Sequence, residues 1–272
     1  MTRLFIFGLG YAGGYVATAV EARGGAVMAT GRAGGITFDD ADAVRAGLAA
    51  ATHVLSSVPP DDGDPVLDRY GDLLVGKWLG YLSSTGVYGD AGGAWVDESA
   101  PIRGRRANRN AADARWLALG ARVFRLPGIY GPGRSPIDRV RAGKAHRTGM
   151  PDQVFSRIHV DDLARGVIAG FGAPAGAYNL ADDVPANQDD VVTYAARLIG
   201  VPPPPVVSLD ALSPMARAFY AENRRVANGK ARRVLGWRPR LSDYRLGLRA
   251  VSATTSPTIA SAAPAAASSD QR

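Results

Sequence analysis

Near the start of the chain, Gly8-Leu9-Gly10-Tyr11-Ala12-Gly13 carries the pattern G-x-G-x-x-G. In such a loop the first glycine permits a tight turn. The second lets backbone approach a pyrophosphate, and the third lets the following helix pack closely on the preceding strand. Unpaired backbone N–H groups at the helix start can then hold phosphate oxygens. The pattern alone is weak in a chain with 33 glycines, and the competing reading is a structural turn. Its place between an apolar run, Arg3–Phe7, and a helical pattern favours dinucleotide binding. Downstream, the second apolar run ends Thr30-Gly31-Arg32, with no carboxylate until Asp39. An acid at that point would bond a ribose 2′-OH, whereas an arginine can meet a 2′-phosphate, so Arg32 favours NADP(H) over NAD(H). The competing reading of Arg32 is an ordinary surface arginine in an Arg-rich chain.

Other reactive constellations are poorly supported. The three histidines, His53, His146 and His159, include no i, i+4 pair, and the chain has no Cys, which removes thiol nucleophiles and Zn–Cys sites. His159 precedes Asp161-Asp162; it is expected to pack beneath a cleft while the aspartates start a helix. A serine hydrolase of the G-x-S-x-G type is excluded at Ser84, because Leu82 stands two residues before it. No G-x-x-x-x-G-K-[ST] loop occurs, so ATP hydrolysis of that kind is excluded as well.

The elements that would position these residues alternate in type. Strands are expected at Arg3–Phe7, Ala26–Thr30, Ile36–Phe38, His53–Ser57, Trp78–Ser83 and Ala121–Leu126, with helices over Ala12–Arg23, Ala41–Ala50 and Asn108–Leu119. That rhythm implies βαβ units, hence an α/β fold with a Rossmann-type, doubly wound parallel sheet. After Pro127 the rhythm loosens. Helices are expected near Pro136–Ala142, over Val160–Phe171 and from an Asn187 cap to Ile199, with a short strand at Ala177–Leu180. The organisation predicted is a dinucleotide-binding domain over 1–155 and a smaller substrate-side region over 156–251, which can return a strand to the sheet. The Ala/Ser/Pro-rich stretch 252–272 is expected to be disordered.

The length of 272 residues, with 46% apolar and 21% charged, is that of a globular protein. No apolar run is long enough to span a bilayer and the N-terminus lacks a signal-peptide pattern, so a cytoplasmic protein is expected. The net charge of +7 is concentrated between Ala221 and Ala250, where nine basic residues meet only Glu222 and Asp243. A solvated face is the first reading of that stretch and an anionic small ligand the second. Nucleic acid is the third, since no recognised binding motif accompanies the charge.

Further stretches resemble the extended short-chain dehydrogenase/reductase family, the NAD-dependent epimerase/dehydratases. They are Tyr81-Leu82-Ser83-Ser84-Thr85-Gly86-Val87-Tyr88-Gly89, Arg125-Leu126-Pro127-Gly128-Ile129-Tyr130-Gly131-Pro132-Gly133-Arg134, Arg157-Ile158-His159-Val160-Asp161-Asp162-Leu163-Ala164 and Leu235-Gly236-Trp237-Arg238-Pro239. They fall in family order and, with the glycine loop, cover most of residues 1–250. The resemblance implies that Ser84, or its neighbour Thr85, holds a substrate oxygen. It implies a cofactor site formed by Gly8, Gly10, Tyr11, Ala12, Gly13, Arg32, Ser57, Pro127 and Ile129.

The sequence departs from the family at the general acid. Members carry Tyr-x-x-x-Lys on the helix after this strand, but between Asp97 and Leu126 there is neither Tyr nor Lys. Matching that helix through Asp113 puts Arg105 at the Tyr position and Arg109 at the Lys position. Arg109 can keep the charge and the ribose contact, whereas a guanidinium cannot donate its proton near neutral pH. Tyr88 and Tyr130 are the remaining phenols. Tyr88 would serve as acid if a nearby arginine lowered its pKa, the plainer reading being that both tyrosines line the cleft. The resemblance thus points to an atypical branch of the family: an oxidoreductase or epimerase-like protein for a small polar substrate such as a nucleotide-linked sugar. The rival is a non-catalytic NADP(H)-responsive binding protein. No membrane partner is expected, and a homo-oligomer is left open.

Overall fold

A computed structural model describes residues 1–255. Its strands are β1 (Arg3–Phe7), β2 (Ala26–Thr30), β3 (Gly35–Ile36), β4 (His53–Ser56), β5 (Trp78–Ser84), β6 (Trp95–Val96), β7 (Arg122–Leu126), β8 (Gly128–Tyr130), β9 (Arg157–His159), β10 (Gly176–Asn179) and β11 (Arg225–Val226). The helices are α1 (Tyr11–Glu21), α2 (Ala41–Ala50), α3 (Pro65–Tyr70), α4 (Ala107–Ala118) and α5 (Pro136–Arg141), followed by α6 (Val160–Ala169), α7 (Gln188–Leu198), α8 (Pro214–Tyr220), α9 (Gly229–Val234) and α10 (Tyr244–Thr255).

Seven strands form one parallel sheet in the order β10-β7-β5-β4-β1-β2-β3. Leu4, Phe5, Ile6 and Phe7 of β1 are all buried, as a central strand covered on both faces requires. One face packs Leu4, Ile6, Leu55 and Phe124 with Val16 and Val20 of α1 and Leu163 and Val167 of α6. The other packs Phe5, Phe7 and Val54 with Val44 and Leu48 of α2 and Trp116 of α4. This is the doubly wound Rossmann-type sheet. Strand β10, from the second half of the chain, lies beside β7 and extends the sheet built by the first half.

Local caps set several helix starts. Asp40 accepts the Ala43 N–H ahead of α2, and Asn187 accepts the Asp189 N–H ahead of α7. Ser135 and Asp138 form a reciprocal capping box on α5, with Pro136 at the first turn. Asp64 accepts from Val66 and Leu67 at the start of α3, and its other oxygen receives the Trp116 indole N–H at 2.7 Å. One carboxylate thus caps a helix and fixes it to α4. Helix α3 was not expected from the sequence pattern. Helix α10 runs four residues into the stretch expected to be disordered; the rest of that stretch lies outside the described residues.

Asp161 and Asp162 do begin α6, but Asp162 does more than favour the helix dipole. It is buried, pairs with Arg165 at 2.5 Å and accepts the backbone N–H groups of Arg240 and Leu241. With its carbonyl accepting the Trp237 indole N–H at 3.0 Å, it ties residues 237–241 to α6. Among the described residues no helix is long and apolar enough to cross a membrane.

Candidate functional site

The sheet order reverses between β1 and β4, so the chain leaves these neighbouring strands in opposite directions and opens a crevice at their carboxyl ends. The glycine loop occupies that position. Gly8 has φ +81°, a conformation that L side chains rarely adopt, and a Cβ there would stand 3.0 Å from the Val58 side chain. Ser57, just past β4, donates its hydroxyl to the Gly8 carbonyl, and Thr30 Oγ1 accepts the Gly8 N–H at 3.0 Å. The Leu9 N–H goes to the Thr30 carbonyl at 2.7 Å and the Gly10 N–H to the Gly8 carbonyl at 2.8 Å. Among the described residues none accepts from the N–H of Tyr11, Ala12 or Gly13, and the Gly10 cap supplies no side chain. Three unpaired donors therefore stand at the positive end of α1. Gly10 has open space around it.

Arg32 is exposed, one residue beyond Gly31, which packs so closely that a Cβ would lie 3.2 Å from the Leu9 nitrogen. The structure thus brings Arg32 beside the glycine loop. Ser57 stands at the loop, where its hydroxyl proton goes to the Gly8 carbonyl and its oxygen can still accept.

A cleft of about 770 Å³ opens next to this crevice. Ser84, Thr85, Arg109, Pro127 and Ile129 line it, as do Arg105 and Tyr130. Tyr11 joins the two spaces: its hydroxyl donates to the Pro132 carbonyl at 3.1 Å, and the Arg134 guanidinium lies 5.6 Å from its ring centre. Burial pushes the Tyr11 phenol above its ordinary pKa. Ser84 ends β5 and caps the short turn Thr85–Tyr88, accepting the Gly86 N–H at 3.1 Å. Its own hydroxyl proton has no protein acceptor among the described residues and remains available to a ligand oxygen.

Tyr88 is not brought to the cleft. It is buried, its hydroxyl donates to Asn179 Oδ1 at 2.7 Å and accepts from Arg125 at 3.1 Å, and Arg125 also lies over its ring. Burial outweighs these arginine contacts and raises its pKa, the opposite of what a substitute acid needs. This corrects the expectation of Tyr88 as proton donor. Tyr130 lines the wall, but its hydroxyl packs against Gly247, where any added Cβ would collide with it, and burial raises its pKa too. His159 is buried as expected, with its ring edge-on to Tyr130.

Arg105 and Arg109 both reach the cleft. Arg105 is bound to Glu222, which also pairs with Arg224 at 2.6 Å; Arg224 in turn donates to the Gly89 carbonyl. The side chains of Arg109, Arg106, Arg134 and Lys144 make no hydrogen bond or ion pair among the described residues. Much of the basic C-terminal charge is used internally: Arg224 on Glu222, Arg225 on the Gly93 carbonyl, and Arg232 on Asp183. Glu222, the residue that organises the outer wall, carried no signal in the sequence beyond being one of two acids in a basic run.

Below the cleft lies a buried polar network. Arg125 Nη2 and Nε bind both oxygens of Asp113 at 2.7 and 3.1 Å, and Ser83 donates to Asp113 at 2.7 Å. It holds β5, β7 and α4 in register beneath Ser84 and Arg109.

The comparisons agree with this geometry. A solved structure of a functionally unknown conserved protein from Silicibacter pomeroyi DSS matches with a TM-score of 0.83 and 40% identity, covering 93% of this chain and 99% of the other. The human epimerase family protein SDR39U1 (isoform 2), solved with NADPH, matches with a TM-score of 0.75 and 18% identity, covering 93% and 99%. Other solved structures of the fold carry NAD, among them a dehydratase and an epimerase of sugar nucleotides. The chain shares the fold of these NAD- and NADPH-bound dehydratase and epimerase structures. One curated relative, the 3-diazoavenalumate denitrifying reductase of a Streptomyces species, is 32% identical over 142 residues. That match covers 48% of this chain and 46% of the reductase, so the chain spans about half the length of this relative. No family model matches the sequence. The approach to α4 and its first turn carry Arg105 and Arg109, with no Tyr or Lys between Asp97 and Leu126.

Proposed function

We propose that the chain is an NADP(H)-dependent oxidoreductase or epimerase-like enzyme acting on a small polar substrate. The observation that carries this reading is the loop at the switch point. Three N–H donors without acceptors and an open face at Gly10 suit a pyrophosphate, and Arg32 beside the loop, with no carboxylate near it in sequence, suits a 2′-phosphate. Arg109 would reach the ribose, and Pro127 and Ile129 would form the wall for the nicotinamide. The cofactor supplies a hydride donor or acceptor when bound. NADPH in the human structure and the word reductase in the name of the curated relative support the same assignment.

The protein's own part is to orient and to stabilise charge. Ser84 donates a hydrogen bond to the substrate oxygen and Thr85 supports it at the same wall. Neither phenol near the cleft is placed to give up a proton, Asp138 is held by Ser135, and Glu222 is held by two arginines. Proton transfer is left to solvent, or to a substrate that needs none at the moment of hydride transfer. The fixed cation at Arg109 would offset developing negative charge instead.

The deciding experiment is a titration of wild type and Arg32→Ala with NADPH, NADP, NADH and NAD. Preferential binding of the phosphorylated forms, weakened selectively in the variant, is expected. Equal affinity for both pairs would reject NADP preference, and binding of none would reject the cofactor site. The committed hydroxyl of Tyr88 favours a second reading, a non-catalytic NADP(H)-responsive binding protein. Turnover of any substrate that is lost in Ser84→Ala would exclude it.

A further inference from the structure

The cleft wall opposite Ser84 has a composition that the proposed reaction does not explain. Four cations that line the space have side chains with no hydrogen bond or ion pair among the described residues, Arg106, Arg109, Arg134 and Lys144, and Arg109 alone serves the ribose in the reading above. The two acids that also line it are held, Asp138 by Ser135 and Glu222 by Arg105 and Arg224, so cations remain in excess and favour an anionic ligand. The same cleft contains an aromatic surface. Phe219 of α8 stacks on Phe155 with ring centres 4.4 Å apart and planes at 12°, yet Phe219 remains 53% exposed. A further flat ring can extend this stack at low cost.

The polar groups around the aromatic pair are already satisfied. The Val154 N–H goes to Asn223 Oδ1 at 3.1 Å, the Phe155 N–H to the Ala186 carbonyl at 3.0 Å, and the Val226 N–H to Ser156 Oγ at 2.9 Å. The Phe155 carbonyl accepts from Ala186 and from Arg157, and the Gln153 amide is bound to the Glu222 carbonyl. A nucleobase is recognised by hydrogen bonds to its edge, and the groups just named beside the aromatic pair offer none. A plain arene needs none.

We infer that the substrate is an aromatic carboxylic acid, its ring stacked on Phe219 and its carboxylate held by the cations that include Arg106, rather than a nucleotide-linked sugar. This rests on the cofactor-dependent function proposed above. Full-length protein is titrated with NADPH first, read by nicotinamide fluorescence, and the NADPH-loaded protein is then titrated by calorimetry with 4-hydroxycinnamate, UDP-glucose and inorganic phosphate. The aromatic acid is expected to bind, and UDP-glucose and phosphate to bind far more weakly. Phe219→Leu, which keeps apolar bulk, and Arg106→Gln should each weaken the acid roughly tenfold while leaving NADPH affinity unchanged. Tighter binding of UDP-glucose, or acid binding indifferent to both substitutions, would overturn the assignment. Failure of NADPH to bind would instead remove the proposed function itself, whereas NADPH binding without acid binding rejects only the aromatic acid.

Discussion

Arg105 Nε stands 2.6 Å from Glu222 Oε1, and Arg105 Nη2 is 2.9 Å from the Ala218 carbonyl. The residue aligned with the family's proton donor is therefore a clamp. It fastens the segment that carries Phe219 to the approach of α4. Arg105 is half-exposed, so the pair is worth at most about 1 kcal/mol to global stability. Arg105→Ala should barely move the denaturation midpoint, yet accelerate amide exchange across residues 218–224. Unchanged exchange there would mean the clamp is idle.

The same clamp sets a pH response. Burial alone would raise the Glu222 carboxyl, but the hydrogen bonds from Arg105 and Arg224 outweigh it and hold the group below its ordinary 4.5. A carboxyl depressed in the folded state contributes fully above its unfolded value, and the contribution fades as pH falls through the folded one. Exchange in 218–224 should therefore speed up below about pH 4.5 in wild type and show no such step in Glu222→Gln.

Tyr88→Phe tests the correction made at the cleft. Removing the hydroxyl leaves Asn179 and Arg125 short of a partner and should cost about 1–3 kcal/mol in urea denaturation. NADPH affinity should be retained, and the pH profile of any turnover should not shift. A lost profile limb would return Tyr88 to the reaction.

Asp113→Asn should be among the most damaging single changes. The Arg125–Asp113 pair is almost wholly buried, and removing one charge strands the other at about 3–5 kcal/mol. Chemical denaturation measures this directly; a loss under about 1 kcal/mol would mean that solvent reaches the pair.

Asp182 behaves in the opposite sense. Both its oxygens are buried with no well-formed hydrogen bond, and burial outweighs the nearby Arg157 charge and Val184 N–H and raises its pKa well above the ordinary 3.8. The unfolded chain ionises first, so this residue lowers stability as pH rises above about 4. Asp182→Asn should raise the melting temperature at neutral pH, with the gain vanishing in acid. Equal midpoints at pH 7 would argue that the carboxylate is solvated there.

What could be read from the sequence was local. The apolar run before Gly8 and the helical spacing after it define β1 and α1, and Gly31-Arg32 falls beside the loop because β2 is β1's neighbour. Asn187 is legible as a cap because a cap acts within two or three residues. The readings that failed depended on distant partners. Tyr88 is silenced by Arg125 and Asn179, 37 and 91 residues away. The two-residue strands β6 and β11 pair segments with no pattern of their own, and Glu222 gains its role only when Arg105 and Arg224 converge on it.

Strand β10 has a consequence for how the protein is made. A fragment ending near residue 155 would hold the whole glycine loop but leave the β7 edge, Arg122–Leu126, without Gly176–Asn179 beside it. Bare parallel edges recruit other chains. Trp78 would also lose its carbonyl partner at Gly170, and the core around Ile6 and Leu55 would lose Trp237. During synthesis, then, the half that holds the glycine loop must wait for more than twenty further residues before the β7 edge of its sheet is covered.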